Sequence, residues 1–155
     1  MKKSLLLCFS LVVSLIILSA CTNTTKEQKT ESVTLPTISK QIQTESKEIL
    51  EQSKLVKDTA ITIDQKKKTI TLTVTASSDT NSDYAEVIGL NFAKTLAVGA
   101  ATDKNNNLHK PENDSLGALY SLYDLRITVK QENGKVLAEG KKSTNETKIT
   151  WNRAK

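Results

Sequence analysis

The seven residues from Thr69 to Thr75 read Thr-Ile-Thr-Leu-Thr-Val-Thr, an unbroken alternation of polar and apolar side chains. Because successive side chains of a β-strand point to opposite faces, this stretch predicts a strand with one buried face and one threonine face. Ile61 and Ile63 flank Thr62 in the same way a few residues earlier. The two runs, joined by the turn-like residues 64–68, predict a β-hairpin.

That turn carries three consecutive lysines, Lys66 to Lys68. The cluster could contact anionic lipid or an acidic wall polymer. A solvated hairpin tip is the simpler interpretation, since connecting segments usually run over the protein surface.

A second hairpin is predicted near the C-terminal end. Residues 123–130 alternate apolar and polar side chains, and Asn133-Gly134 is the dipeptide most typical of a type I′ turn. A two-residue loop there places Thr128 opposite Glu139. Large side chains then face small ones on the core face, and opposite charges meet on the solvent face. The other predicted partners are Val129 with Ala138, Ile127 with Gly140 and Glu132 with Lys135.

Between Pro36 and Lys57 the apolar spacing changes to that of a helix. Ile42, Ile49 and Val56 recur every seven residues, and polar or charged side chains fill most other positions. This narrow stripe predicts a helix that docks by one edge on its own domain; a short coiled coil is the alternative.

A second helix is predicted after a polar loop. Thr80 and Asp83 have the spacing of a capping box at its start. Two stripes follow at helical spacing, one of large apolar residues and one of small residues that would let the helix lie close to a sheet. They are Tyr84, Val87, Ile88, Phe92 and Leu96, and Ala85, Gly89, Ala93, Ala97 and Ala101.

The predicted element order is helix, two strands, helix and three strands, the last strand spanning residues 147–151 with Trp151 at the bottom of the core. This order predicts an α+β fold, a two-layer domain with an antiparallel sheet of about five strands and the helices on one face. Of Tyr120 and Tyr123, one is expected in the core and the other at its edge. No Gly-rich or Pro-rich linker interrupts residues 35–155, which we expect to form a single domain.

The N-terminal residues have a different character. Lys2 and Lys3 precede an apolar run of about 14 residues, which is shorter than the ~20 needed to span a bilayer. The run ends in Leu18-Ser19-Ala20-Cys21, which resembles the lipobox of bacterial lipoproteins. The resemblance implies cleavage between Ala20 and Cys21 and attachment of a diacylglycerol group to the Cys21 thiol. Two acyl chains make a durable membrane anchor.

In this interpretation residues 1–20 are a signal peptide. Residues 21–34 are a disordered, lipid-anchored tether, since no apolar side chain occurs from Thr22 to Ser32. A short membrane helix, or a leader cut at another position, is the alternative. The resemblance implies a cell-membrane location on the extracytoplasmic face, or the outer membrane in a diderm host.

The mature chain is expected to carry little net charge and no free thiol. Loss of the two leader lysines lowers the net charge from +5 to +3, and Cys8 leaves with the leader. A lipidated Cys21 leaves no cysteine for disulfides, thiolate catalysis or metal binding. Arg126 and Arg153 are the only arginines and aromatic residues are few, which is not typical of a nucleic-acid-binding protein.

Polar side chains concentrate in one irregular stretch, residues 102–115. Four of them stand at positions 1, 3, 5 and 12 of an EF-hand-like spacing. Position 6, which needs glycine, is Leu108, and position 12 is an aspartate where a calcium loop has a bidentate glutamate. A surface loop stabilised by Asn and Asp turns is therefore the favoured interpretation. The residues of this candidate binding loop are Asp103, Asn105, Asn107, His109 and Asp114.

His109 is the sole histidine, so a two-histidine metal site cannot form within one chain, and no nucleophile elbow or phosphate-binding glycine loop is recognisable. The sequence therefore predicts no cofactor and no metal. We expect a non-enzymatic surface lipoprotein that binds a protein or cell-envelope partner, in one form an exclusion or immunity protein. The alternative is a small envelope enzyme or assembly subunit that uses His109, Asp103 and Asp114.

Overall fold

The computed structural model describes residues 34–153, and the predicted leader and most of the predicted tether lie outside this range. Two helices and five strands follow one another in the predicted order, so the α+β class is confirmed. The elements are α1 (Lys40–Glu51), β1 (Val56–Asp64), β2 (Thr69–Ala76), α2 (Ser82–Thr102), a 3₁₀ helix (Ala118–Ser121), β3 (Asp124–Gln131), β4 (Val136–Lys142) and β5 (Thr150–Arg153).

The five strands form one sheet in the order β1-β2-β3-β4-β5. Three neighbouring pairs are antiparallel, as predicted, but β2 and β3 are parallel, with Ile70 opposite Leu125. The sheet is therefore mixed, and the expectation of an entirely antiparallel sheet is corrected at this pair. The cause is α2, whose 21 residues span roughly 32 Å and carry the chain back along the sheet, so that β3 starts beside the start of β2.

The alternation of β2 separates core from solvent as predicted. Ile70, Leu72 and Val74 have no exposed surface, while the four threonines of the strand are half-buried on the opposite face. Both helices contribute to the core on the apolar face of the sheet. A Cβ atom at Gly89 of α2 would lie only 2.9 Å from the Ile127 side chain, so the small stripe does let the helix approach the sheet closely.

Helix α1 is shorter than its apolar repeat suggested. It begins after the Ser39 N-cap, whose Oγ accepts a hydrogen bond from Ile42 N–H at 3.2 Å. Ile42 and Leu50 are buried, but Ile49 is 54% exposed and Val56 belongs to β1. The seven-residue repeat therefore runs from α1 into β1. The helix itself docks against α2 and β1 of its own domain, as predicted.

Helix α2 begins one residue later than the predicted capping box. The N-cap is Asn81, whose Oδ1 accepts from Tyr84 N–H at 2.9 Å. Thr80 is instead buried, with its hydroxyl 3.3 Å from that of Ser77. Tyr84 and Val87 are more than half exposed, so only the later part of the large apolar stripe enters the core.

The β3–β4 hairpin has the predicted register but a different turn. Of the two predicted turn residues only Gly134 has a positive φ, 86°, and Gln131 N–H donates to Lys135 O at 2.8 Å. The loop thus has three residues, so Glu132 does not face Lys135, and a β-bulge at Leu137 compensates for the extra residue. Beyond the bulge the predicted pairs are confirmed: Thr128 with Glu139, Val129 with Ala138 and Ile127 with Gly140.

Three aromatic residues, Tyr120, Tyr123 and Trp151, pack in or against the core. Tyr120 and Tyr123 are both fully buried, so the expectation that one would lie at the core edge is wrong. Their hydroxyls donate to backbone carbonyls, at 2.9 Å to Ala93 and 3.1 Å to Pro36. Trp151 in β5 is half-buried and packs between β4 and α2.

Candidate functional site

The candidate loop begins where α2 ends, and its first polar residues form a local turn. Asp103 Oδ1 accepts from both the backbone N–H and the side-chain Nδ2 of Asn105, each at 3.0 Å. Asn107 has a φ of 45°, in the left-handed region that asparagine tolerates. These side chains shape the loop backbone.

Asn106, which stands between two of the candidate residues, ties the loop to the rest of the domain. Its Oδ1 accepts from Thr37 N–H at 3.1 Å, and its Nδ2 donates to Thr37 O at 3.1 Å and to Ala100 O at 3.0 Å. One side chain thus joins the segment before α1, the end of α2 and the loop. No sequence pattern indicates this role, because the contact with Thr37 spans 69 positions.

His109 and Asp114 lie farther along the loop, and both are exposed. His109 shapes the chain through its backbone carbonyl, which accepts from Ala118 N–H at 3.1 Å. Asp114 lies in a tight turn that is closed by two backbone hydrogen bonds between Glu112 and Ser115.

The five candidate residues do not converge on one point. Asp103 and Asn105 are hydrogen-bonded to each other beside the end of α2, whereas Asp114 lines a separate groove. Within residues 34–153, no three His, Cys, Asp or Glu side chains are placed so that they could hold a metal ion together. A joint catalytic or calcium-binding role for Asp103, His109 and Asp114 therefore receives no support from their geometry.

Asp114 lines what we name the Trp151 groove, a surface cavity of about 220 Å³ between α2, the end of the loop and the approach to β5. It combines apolar side chains with a few charged ones, which is the usual composition of a binding site. Pockets that take whole small molecules are larger, about 300–1,000 Å³, so this groove suits one chemical group of a larger partner. Its main residues are Leu90, Ile149, Trp151, Lys94, Asp114 and Lys148.

The groove contains more positive than negative side chains. Lys94 Nζ lies 3.3 Å from Asn113 O and 3.5 Å from Glu112 O, so this α2 side chain also binds the loop. Lys148 also lines the groove and is exposed. With two lysines and one aspartate, the groove favours an anionic group.

Arg153 fixes β5 next to this groove. Its guanidinium donates to both carboxylate oxygens of Glu86, at 2.6 and 3.2 Å, and to Asp83 at 2.5 Å. The hydrogen bond and the charge of Glu86, followed by the charge of Asp83, raise the pKa of Arg153. The ion pairs join the last strand to the first turns of α2.

The other shifted pKa values belong to structural contacts in the core. Burial raises the pKa of the Tyr120 and Tyr123 hydroxyls. Lys142 is only 5% exposed, and its Nζ donates to Tyr120 O at 2.5 Å and to Ser143 O at 3.0 Å. Burial lowers the pKa of Lys142, although nearby carboxylates oppose the shift.

Sequence reasoning missed Lys142 although a signal for it existed. The predicted hairpin register places Ala138 and Gly140 on the core face, and Lys142 shares their parity. Its charge suggested an exposed position, but backbone carbonyls satisfy the ammonium group inside the fold.

Comparison of the chain with protein-family models, with curated proteins and with solved structures gave no match. Neither helix within residues 34–153 is both long and apolar enough to cross a membrane.

Proposed function

We propose that this chain is a lipid-anchored protein of the extracytoplasmic membrane face, whose α+β domain binds a protein or cell-envelope partner without catalysing a reaction. The observation that carries the proposal is Leu18-Ser19-Ala20-Cys21 at the end of a basic and then apolar leader. A diacylglycerol group on Cys21 would hold the chain at the membrane. An exclusion or immunity protein, which blocks an incoming machine at the membrane, would be one such module.

The Trp151 groove supports the binding part of the proposal. Lys94 and Lys148 bring two positive charges to a cavity lined by Trp151 and Ile149, against one carboxylate from Asp114. An acidic group on an apolar body matches this lining, and such groups occur on protein side chains and on anionic envelope polymers. The groove would therefore hold one contact of a larger interface.

The enzymatic alternative is less well supported. It requires His109, Asp103 and Asp114 to act together, but Asp114 lines the Trp151 groove and the other two side chains do not. Asp103 is already engaged as the acceptor of two hydrogen bonds from Asn105. A reaction centre would need these groups within hydrogen-bond reach of one substrate atom.

The test is crosslinking in living cells from a photoreactive amino acid at position 148 of the full chain. The matched control carries the same group at Lys135, an exposed position between β3 and β4. We expect a reproducible partner from position 148 that is absent from position 135. Lys94→Gln should reduce the yield from position 148, since it removes one of the two groove cations. Equal background products from both positions would contradict the proposal.

A further inference from the structure

The sheet has an edge at β1 that carries unpaired backbone groups. Among residues 34–153, β1 pairs with β2 alone, from Val56 to Asp64 with a β-bulge at Lys57. The N–H and C=O groups on its outer side therefore form a row that an added strand could pair with.

Beyond the bulge, the centre of this edge lacks the usual protection. The central residues Thr59 to Ile63 read Thr-Ala-Ile-Thr-Ile, with no charge and no proline, and most of them favour strands. At the opposite edge, β5 has only four residues and ends in the ion-paired Arg153. Natural sheets commonly shorten or charge an edge to prevent pairing, as β5 does and the centre of β1 does not.

A groove of about 370 Å³ runs beside this edge, between β1 and the start of α1. Ile61 and Ile63 are half-buried on the core side of β1, and the buried Ile38 lines the groove from the segment before α1. A strand laid along β1 would turn every second side chain toward these three isoleucines. These isoleucines favour apolar side chains at the alternate positions that face them, while the rest of the lining, which includes Gln43 and Thr62, is polar.

Positive charge gathers at one end of the groove. Lys40 lines it from α1, and the exposed turn after β1 carries Lys66, Lys67 and Lys68. Asp64 is the nearby carboxylate, with its Oδ2 3.7 Å from Lys67 Nζ. The surplus of lysines favours acidic side chains at this end of an added strand.

We propose that the β1 edge binds an extended peptide segment of a protein partner, with alternating apolar residues and an acidic end, which adds to the sheet as a sixth strand. Strand addition of this kind takes affinity from main-chain hydrogen bonds and specificity from alternate side chains. The inference rests on the proposed binding function but not on the lipid at Cys21, and its site is separate from the Trp151 groove.

The test uses fluorescent peptides of alternating Thr and Val with a Glu-Glu pair at either end, and the full chain in detergent. Peptides with Lys-Lys ends and peptides with N-methylated backbones are the controls. We expect an acidic-ended peptide to bind and to slow amide hydrogen exchange in residues 57–63. Lys40→Glu should weaken that binding about fivefold, since one attraction becomes a repulsion. Lys135→Glu, the same charge reversal between β3 and β4, should leave that binding unchanged.

Equal binding of acidic and basic peptides, or binding without protection of residues 57–63, would overturn the proposal. Protection of residues 57–63 that grows with protein concentration without peptide would overturn it too, because a second copy would then occupy the edge. If crosslinking from position 148 succeeds while the peptides fail, only this inference is lost. If the peptides bind while crosslinking from position 148 fails, the role given to the Trp151 groove is lost instead.

Discussion

The Asn106 side chain is hydrogen-bonded to both backbone groups of Thr37, so that one amide acts as a short piece of β-ladder between a loop and a distant segment. A third bond, from Nδ2 to Ala100 O at 3.0 Å, adds the end of α2 to the same junction. The loop at residues 102–115 is therefore part of the scaffold. Its removal would disturb the fold as well as any binding surface, so point substitutions are the better probes of its function.

Asn106→Ala should destabilise the protein by about 1–3 kcal/mol, because it removes three hydrogen bonds and leaves backbone groups without their partner. Asn105→Ala, one position earlier and exposed, should cost about 0.5 kcal/mol or less. Urea unfolding followed by circular dichroism measures both. Equal effects of the two variants would show that the junction does not stabilise the fold.

Gly89→Val should destabilise the protein by about 1–3 kcal/mol through overpacking. The new Cβ would lie 2.8 Å from the Trp151 ring and 2.9 Å from the Ile127 side chain. Both neighbours are held in the packed layer between α2 and the sheet. Val87→Ala, on the exposed side of the same helix, is the control and should be close to neutral. The midpoint of urea unfolding compares the two, and an unchanged midpoint for Gly89→Val would refute the close packing.

Tyr120 should make the fold sensitive to alkali. Its pKa is raised by burial, so the folded protein keeps the phenol proton at pH values where the unfolded chain loses it. Stability from this group is therefore present below about pH 10 and is lost as the pH rises further. Tyr120→Phe should reduce that alkaline loss and cost about 1 kcal/mol at neutral pH, because the bond to Ala93 O is absent. Tyr84→Phe, at a 57% exposed position, should change neither the alkaline loss of stability nor the stability at neutral pH.

Lys142 should have the opposite effect on the pH dependence of stability, at pH values below those at which Tyr120 acts. Because burial lowers its pKa, the unfolded chain binds the proton more tightly than the folded protein does. Stability attributable to this residue should therefore rise with pH from the lowered folded pKa up to the ordinary value of 10.5. Unfolding curves of wild type and Lys142→Met between pH 7 and about 10 measure the difference, with the exposed Lys141→Met as control. A parallel pH dependence for wild type and Lys142→Met would contradict the assignment.

Much of the fold could be predicted because its signals are local. The alternating threonines of β2 and the small residues of α2 each identify the buried face of their own element. Neither pattern depends on which element packs against that face. The hairpin register was also accessible, since it places Ala138 opposite Val129 and Gly140 opposite Ile127, small side chains against large ones on the core face. A three-residue turn and the bulge at Leu137 cancel each other, which is why an incorrect turn type still led to correct pairs.

The remaining features depend on contacts between distant residues. The parallel pairing of β2 with β3 follows from the length and course of α2, which strand alternation does not report. The contact of Asn106 with Thr37 leaves no periodic pattern, and neither does the groove at Trp151, which is assembled from three separate segments. The candidate loop residues were recognised by their polarity, and the structure distributes them over different places.

The most direct test is lipid labelling at Cys21, because the proposed anchor would hold the domain at the membrane. Cells that produce the full chain would be grown with an alkyne analogue of palmitate, and the purified protein would be examined for label and for its N-terminal residue. Wild type and the matched control Cys8→Ser should carry the label on a chain that begins at Cys21, while Cys21→Ser should be unlabelled and uncleaved. Equal labelling of Cys21→Ser, or an unlabelled wild-type chain, would contradict the account.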